Sequence, residues 1–336
     1  MASSDLSQDA LDIVVLCGGI GGVKFLEGLL QIFPAERITI IGNTGDDETF
    51  HGLPVSPDLD TILYTLTGHV DRSRGWGRAS ETFHCLEELA RLGEDTWFQL
   101  GDRDLALHIV RKKMLSTGHS LTEVTAFLAK RLGLPCRLLP PSNDPVRTIV
   151  RTDSGALPFQ EYFVRHACRP RVLGVEYAGA AKATASRETL HALETAGGLF
   201  YAPSNPVASI GPILAIPDLR SRIRKLAAPR IVVSPFVEGK SLKGPSDKMM
   251  RALNLEPDLA GLAHYYRDLA DGILVHETDL PADPHPPLSE FVLASTNLIL
   301  DSSQRKRSAA EAALALLERL RVPERNLSRS AARDRR

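Results

Sequence analysis

Short apolar runs alternate with amphipathic segments along the first part of the 336-residue chain. Residues 13–17 form a continuous apolar run with β-branched side chains, which predicts a strand buried on both faces. Apolar residues then recur at helical spacing from Val23 to Phe33, and residues 37–41 return to the strand pattern. This order predicts a right-handed βαβ unit of a parallel sheet.

The middle of the chain is mainly helical in pattern. Residues 76–134 show helical spacing, with at most a short β-like run at 97–100. Ser120 and Glu123 form a capping box that opens a helix ending near Gly133.

A β-hairpin is predicted after these helices. Residues 137–139 are strand-like, and residues 146–151 and 159–164 flank a turn at Asp153–Gly155. Helices followed by a hairpin indicate an α+β insertion over residues 71–175, which would cover a site on the remaining domain.

The last third of the chain resumes the pattern of inner parallel strands at 199–202, 231–234, 272–275 and 298–300, before an alanine-rich helix at 302–320. We therefore predict an α/β fold: a Rossmann-like open, mostly parallel sheet with helices on both faces and an α+β insertion. The predicted core consists of residues 12–70 and 176–321.

The composition argues against nucleic acid as a partner and against zinc sites, disulfides and membrane spans. With 43% hydrophobic and 24% charged residues and a net charge of −1, the chain is globular and has no basic surplus for nucleic acid. The four cysteines form no Cys-x-x-Cys pair, which disfavours zinc and disulfides and fits a reducing cytoplasm. No signal peptide or membrane-length apolar run is present, so we expect a cytoplasmic protein. The arginine-rich residues 322–336 are expected to be a flexible basic tail.

A glycine-rich turn follows the first predicted strand. Gly18, Gly19, Gly21 and Gly22 would let backbone amides approach an anion at a helix N-terminus. Lys24 stands where the dinucleotide fingerprint has its third glycine, and no Walker Gly-Lys-Ser/Thr follows. The turn favours phosphate binding, with a merely tight turn as the alternative.

Four carboxylates cluster just beyond the second strand. Asp46 and Asp47 follow Asn43 at its carboxyl end, and Asp58 and Asp60 lie in the first turn of a helix that Ser56 and Pro57 predict. Magnesium takes one or two carboxylates together with substrate phosphate oxygens and water. The acidic residues therefore indicate a magnesium site, although solvated turns and helix-start chemistry explain each pair alone.

Two further polar segments offer ligand contacts. Asp102 is a plausible N-cap, whereas Arg103, between two acids, is suited to a phosphate or a polar ring edge. Ser204, Asn205 and Ser209 follow a predicted buried strand, where donors and acceptors suit a nucleotide.

Taken together and in this order, these motifs resemble the 2-phospho-L-lactate transferase family of coenzyme F-420 biosynthesis. The resemblance covers about residues 12–300 and rests on the segments Gly18–Gly22, Asn43–Asp47, Ser56–Thr61, Trp76-Gly77, Leu100–Asp104, Pro203–Pro206, Ser209–Pro212 and Ser234-Pro235. It implies a magnesium-dependent transferase. In that reaction, the ribityl hydroxyl of the deazaflavin Fo attacks a guanosine diphosphate-activated phospho-acid, and GMP leaves.

The resemblance also implies residue roles. Asp46 and Asp60 would hold magnesium or orient the hydroxyl, with Asp47 and Asp58 as further metal candidates. The implied nucleotide and phosphate contacts are Gly18, Gly19, Gly21, Gly22, Lys24, Ser204, Asn205, Ser209 and Gly211. The implied Fo contacts are Asn43, Asp60, Gln99, Asp102, Arg103 and Asp104, with Gln99 where some relatives have a basic residue. Asp60→Asn is expected to abolish turnover and leave the fold largely intact.

Other functions are weighed against this one. A nucleotide-sugar-binding regulatory protein of the same superfamily shares the opening fold, but that branch lacks the Ser-Pro-Asp-Leu-Asp-Thr and Pro-Ser-Asn-Pro segments. A nicotinamide oxidoreductase is suggested only by the glycine turn. Histidines without metal-ligand spacing and the lack of a Gly-x-Ser-x-Gly motif disfavour zinc and hydrolase chemistry. The residues do not choose among phospholactate, phosphoenolpyruvate and phosphoglycerate, and a homodimer is expected as the commonest assembly.

Overall fold

The structure is a computed structural model that describes residues 11–241 and 244–321. The strands are β1 (Ile13–Cys17), β2 (Ile38–Gly42), β3 (Glu48–Phe50), β4 (Leu53–Val55), β5 (Arg137–Leu139), β6 (Arg147–Thr152), β7 (Gly155–Pro158), β8 (Val172–Ala178), β9 (Gly198–Tyr201), β10 (Arg230–Val233), β11 (Phe236–Val237), β12 (Lys240–Ser241), β13 (Gly272–His276) and β14 (Val292–Thr296). The α-helices are α1 (Gly19–Leu29), α2 (Pro57–Leu66), α3 (His84–Arg91), α4 (Asp102–Ser116), α5 (Leu121–Leu132), α6 (Arg187–Glu194), α7 (Gly211–Leu214), α8 (Pro217–Arg224), α9 (Ser246–Ala252), α10 (Leu259–Tyr266) and α11 (Ser303–Arg321).

A parallel sheet of seven strands forms the centre of the described chain. Its order is β14-β13-β10-β9-β1-β2-β5, and every neighbouring pair runs parallel. The chain builds the sheet outward from β1 through β2 to β5, then returns to the other side of β1 with β9. The order therefore reverses between β1 and β9, the place where open α/β sheets bind ligands. This sheet confirms the predicted fold class.

Each face of the sheet carries its own apolar layer. Along β1, Ile13, Val15 and Cys17 join one layer, whereas Val14 and Leu16 join the other. The first layer is completed by α1, α2, α5 and α11, and the second by α6, α8, α9 and α10. Because both faces are covered, the inner strands are mostly apolar, and β1 is apolar at every position, which is the pattern seen in the sequence.

Two predicted strands are wrong. The hairpin forms between β6 and β7, but residues 159–164 leave the strand and Glu161–Arg165 is a π-helical turn. Phe159 and Tyr162 are both buried, a three-residue spacing that suits a helical turn. At the far edge, β14 is the strand, and residues 298–300 follow it as irregular chain that packs Leu298 and Leu300 into the core.

The predicted insertion 71–175 contains one strand of the central sheet, because β5 pairs with β2. The three-stranded antiparallel sheet β7-β6-β8 and the helices α3 and α4 also fall in this range, although β8 runs beyond it. The division into domains stays a prediction, and residues 322–336 lie outside the described ranges. Within those ranges, no helix combines the length and hydropathy needed to cross a membrane.

Candidate active site

A cavity of about 610 Å³ opens at the carboxyl ends of β1 and β9. Its walls come from the turn after β1, the start of α2, one face of α4 and the loops after β9 and β10. The sheet brings these segments together because all its strands are parallel and end at the same edge. Segments more than a hundred residues apart in the chain thus share one site.

Most of the predicted site residues line this cavity. Those in its wall are Gly18, Gly19, Gly21, Lys24, Asp46, Asp58, Asp60, Gln99, Asp104, Ser204, Asn205 and Ser209. Those that are not in its wall are Gly22, Asn43, Asp47, Asp102, Arg103 and Gly211.

The glycine turn lets α1 begin in direct contact with the loop after β9. A Cβ atom on Gly21 would lie 2.5 Å from the Pro203 carbonyl oxygen, and one on Gly18 would lie 2.6 Å from Asp58 Oδ2. The Gly19 amide donates to Asp58 Oδ1 at 2.8 Å. The amides of Ile20 and Gly21 have no acceptor four residues back within the helix, so they are suited to an anion in the cavity.

Asn43 organises the carboxylates although it does not reach the cavity. Its Nδ2 donates to Asp46 Oδ1 at 3.2 Å, Asp58 Oδ2 at 2.8 Å and the Ala208 carbonyl at 3.3 Å, and its Oδ1 accepts from the Gly45 amide. The Asn43 side-chain amide therefore orients both Asp46 and Asp58.

Asp46 and Asp58 form a pair of buried acids. Burial, followed by the negative charge of Asp58, raises the pKa of Asp46 well above its usual range. Burial also raises the pKa of Asp58, although the Asn43 and Gly19 hydrogen bonds oppose it. No hydrogen bond from the described residues reaches Asp46 Oδ2. A cation at this oxygen would balance the charge of the pair.

The side chains around Asp46 suit magnesium better than a metal ion that is enclosed by several protein ligands. Within residues 11–241 and 244–321, no group of three or more His, Cys, Asp or Glu side chains is arranged to hold a metal ion. Magnesium needs only one or two protein carboxylates and takes its other ligands from water and substrate phosphates. Asp46 Oδ2 meets that requirement.

Asp60 is bound in a different way, by an arginine that the sequence analysis missed. Arg111 Nη1 donates to Asp60 Oδ2 at 3.1 Å, and Arg111 Nη2 donates to Asp60 Oδ1. Arg111 is 2% exposed, and the Asp60 carboxylate raises its pKa against the effect of burial. The pair is bidentate and buried, so the Asp60 carboxylate has a fixed orientation.

The face of α4 that carries Arg111 also carries His108 and Asp104. His108 and Arg111 follow Asp104 by four and seven residues, so the three share one helix face, and all three are buried. A row of polar residues on the otherwise apolar side of a helix is the signal in the sequence that could have found them.

Residues 13–312 match a family model described as 2-phospho-L-lactate transferase CofD. The chain belongs to this family. It is therefore a transferase of coenzyme F-420 biosynthesis, which confirms the predicted family.

Similar proteins cover almost the whole chain. A phosphoenolpyruvate transferase of Streptomyces griseus is 42% identical over 92% of this chain and 99% of its own length. A phosphoenolpyruvate transferase of Mycobacterium leprae is 38% identical over 86% and 94%, and a 2-phospho-L-lactate transferase of Methanosarcina acetivorans is 35% identical over 91% and 99%. A crystal structure of a Bacillus halodurans protein shares the fold, with a TM-score of 0.62 and 19% identity over 91% of this chain and 99% of that one.

Several predicted residues of this CofD-family chain hold the framework around the cavity. Asp102 accepts from Thr82 Oγ1 and from the amides of His84 and Cys85, so it supports the start of α3 and not of its own helix. Arg103 is exposed and donates to the Ala79 carbonyl at 3.3 Å.

Three other predicted residues pack behind the wall. Ser56 is at the N-cap of α2 as predicted, but its side chain makes no capping hydrogen bond and donates instead to Asp47 at 2.8 Å. Burial raises the pKa of Asp47 to about 7. Gly22 packs on Ser204 and Gly211 on Tyr177, where a larger residue would collide.

Replacing Gly21 in this CofD-family protein is expected to damage both site and stability. In Gly21→Ala, the new Cβ meets a backbone carbonyl oxygen, which cannot rotate away. We expect the free energy of unfolding to fall by about 1–3 kcal/mol and transferase activity to fall as α1 moves from the loop after β9. Gly174→Ala is the control, because nothing lies within 4 Å of its added Cβ. Equal urea midpoints and activities for both variants would contradict this expectation.

Asp104 is expected to make stability depend on pH. Burial raises its pKa to about 6, so the folded protein binds this proton more tightly than the unfolded chain. The free energy of unfolding should therefore fall as pH rises from about 4 to 6, by up to about 3 kcal/mol at about 1.4 kcal/mol per pKa unit. Urea titrations of wild type and Asp104→Asn across this range test it. The variant should lack this part of the slope, and an unchanged slope would exclude Asp104 as its source.

Proposed function

We propose that this protein transfers a phospho-acid group from a guanosine diphosphate-activated donor to the ribityl hydroxyl of Fo, and that GMP is released. The observation that carries the proposal is the convergence of the family motifs on one cavity. There the N-terminus of α1, the Asp46 carboxylate and the Arg111-bound Asp60 carboxylate face a common space.

The donor is proposed to lie against α1 and the loop after β9. The free amides of Ile20 and Gly21 suit the diphosphate, and the positive end of the helix dipole favours its charge. Ser204, Asn205 and Ser209 line the adjoining wall and supply polar contacts for the nucleoside.

Fo is proposed to enter from the side lined by aromatic residues. Trp76, Phe98, Phe159 and Phe163 line the cavity and offer flat apolar surfaces for a fused ring system. Gln99, beside Phe98, lies within reach as a polar contact.

Asp46 is the proposed ligand of Mg²⁺. When bound there, the ion would neutralise the diphosphate charge and make GMP a better leaving group. Asp58 and Asn43 keep Asp46 in place from behind, and Asp58 is a second candidate ligand.

Asp60 is proposed to position the attacking hydroxyl. Its carboxylate faces the cavity and is held by Arg111, so it accepts the hydroxyl proton in a hydrogen bond of fixed direction. Transfer then forms the bond between this hydroxyl oxygen and the phosphorus of the phospho-acid. The bond from that phosphorus to the GMP oxygen breaks, and the hydroxyl proton goes to Asp60.

Phosphoenolpyruvate is the proposed acid. The relatives with about 40% identity from Streptomyces and Nocardia are named phosphoenolpyruvate transferases, whereas the 2-phospho-L-lactate transferases from Methanosarcina are 35–37% identical.

The test is a reconstituted transfer reaction. Purified protein is mixed with Fo, Mg²⁺ and one guanylylated acid: phosphoenolpyruvate, phospholactate or phosphoglycerate. We expect GMP and the coupled deazaflavin in equal amounts, fastest with the phosphoenolpyruvate donor. No product with any of the three donors would refute the transfer reaction. Tight UDP-sugar binding without affinity for Fo would favour the regulatory alternative.

A further inference from the structure

His108 lies in the cavity wall beside the pair of Asp60 and Arg111. The side chain is 2% exposed, and its Nδ1 atom lies 2.9 Å from Arg111 Nη1 and 3.9 Å from Asp60 Oδ2. The segments on which the family resemblance rests do not include this histidine.

The contact with Arg111 determines the tautomer of His108. A guanidinium group has donors and no acceptor, so a hydrogen bond from Arg111 Nη1 requires a lone pair on His108 Nδ1. In the neutral ring, the proton is then on Nε2. Burial lowers the pKa of His108 to about 4; the negative charge of Asp60 opposes this shift and the positive charge of Arg111 adds to it, so the ring is neutral near pH 7.

The Nε2–H group is left for a ligand. Nε2 makes no hydrogen bond to a described residue, and His108 lines the cavity. Nε2 is not among the fully buried unpartnered atoms of the described residues, so it is open to the cavity, where an oxygen acceptor of a bound molecule can accept from it. Next to it, Asp60 can only accept hydrogen bonds while it is ionised.

We propose that His108 Nε2–H donates to the hydroxyl adjacent to the one that Asp60 positions, so that the two side chains together recognise a vicinal diol. This inference rests on the proposed function, since it concerns the acceptor substrate. In Fo, the terminal ribityl hydroxyl donates to Asp60, and the oxygen of the neighbouring hydroxyl accepts from His108. His108 is thus a specificity residue and does not take the proton of the attacking hydroxyl.

The test combines two variants with two acceptor substrates. His108→Asn keeps a short acceptor for Arg111 and removes the Nε2 donor, whereas His108→Gln places an amide donor near the Nε2 position. The substrates are Fo and an analogue whose ribityl chain lacks the hydroxyl next to the terminal one. We expect wild type and His108→Gln to lose about 10- to 100-fold in kcat/KM on the analogue. His108→Asn should use both substrates about equally.

The outcomes separate this inference from a structural role and from the proposed function. If His108→Asn discriminates between the substrates as strongly as wild type does, the inference is overturned. Equal kcat/KM of wild type on both substrates overturns it without any variant, even if His108→Asn fails to fold. A general loss of activity with unchanged discrimination indicates a structural role only. If wild type transfers nothing even to Fo, the proposed function fails together with this inference. That result differs from equal activity on both substrates, which overturns the inference alone.

Discussion

Asp60→Asn should abolish turnover and also lower the free energy of unfolding by about 3–5 kcal/mol, because it leaves the buried Arg111 charge without its carboxylate. The sequence alone suggests an intact fold for this variant, since its motif places Asp60 in a site. The structure shows that the site carboxylate is also one half of a buried ion pair. Both consequences follow from that single contact.

Urea unfolding and transfer assays test this prediction together. Arg111→Met should destabilise the protein in the same way, because it leaves Asp60 buried and unpaired. The double variant Asp60→Asn with Arg111→Met should be more stable than the sum of the two single effects, since no lone charge remains. A wild-type urea midpoint for Asp60→Asn, or additive effects in the double variant, would show that the pair does not stabilise the fold.

Asp46→Asn is expected to abolish turnover as well, but with the opposite effect on stability. Burial and the nearby Asp58 charge raise the pKa of Asp46, so its charged form destabilises the metal-free fold at neutral pH. An asparagine has no such charge and keeps a similar shape. The metal-free variant should therefore unfold at a higher temperature than metal-free wild type.

Magnesium should reverse that order. A ligand of the folded state stabilises it in proportion to the logarithm of its concentration above Kd. Wild type should gain in melting temperature as Mg²⁺ is added with a guanine nucleotide, whereas Asp46→Asn should not. Asp47→Asn is the matched control, because Asp47 is the neighbouring acid but lies outside the cavity wall. A magnesium response that survives in Asp46→Asn would exclude Asp46 as the ligand.

The amino-acid sequence is sufficient to predict the fold class and the position of the site. Apolar runs such as 13–17 and 231–233 are typical of inner strands, and the parallel order puts the segments after them at one edge of the sheet. The family could be recognised for the same reason, since its motifs are short, local and ordered along the chain.

Which acids have partners depends on contacts between segments that are distant along the chain. Asp60 and Arg111 are 51 residues apart, and Asn43 reaches Asp58 across 15 residues, so neither contact has a local signal. Likewise, β5 joins the central sheet by pairing with β2, a non-local contact that its three residues do not encode alone. Burial and charge pairing depend on how α4 and α2 pack on the sheet. That packing is a property of the whole chain. Because of it, two aspartates of neighbouring motifs have opposite effects on stability: the Asp60 carboxylate stabilises the fold, whereas the charged form of Asp46 destabilises it.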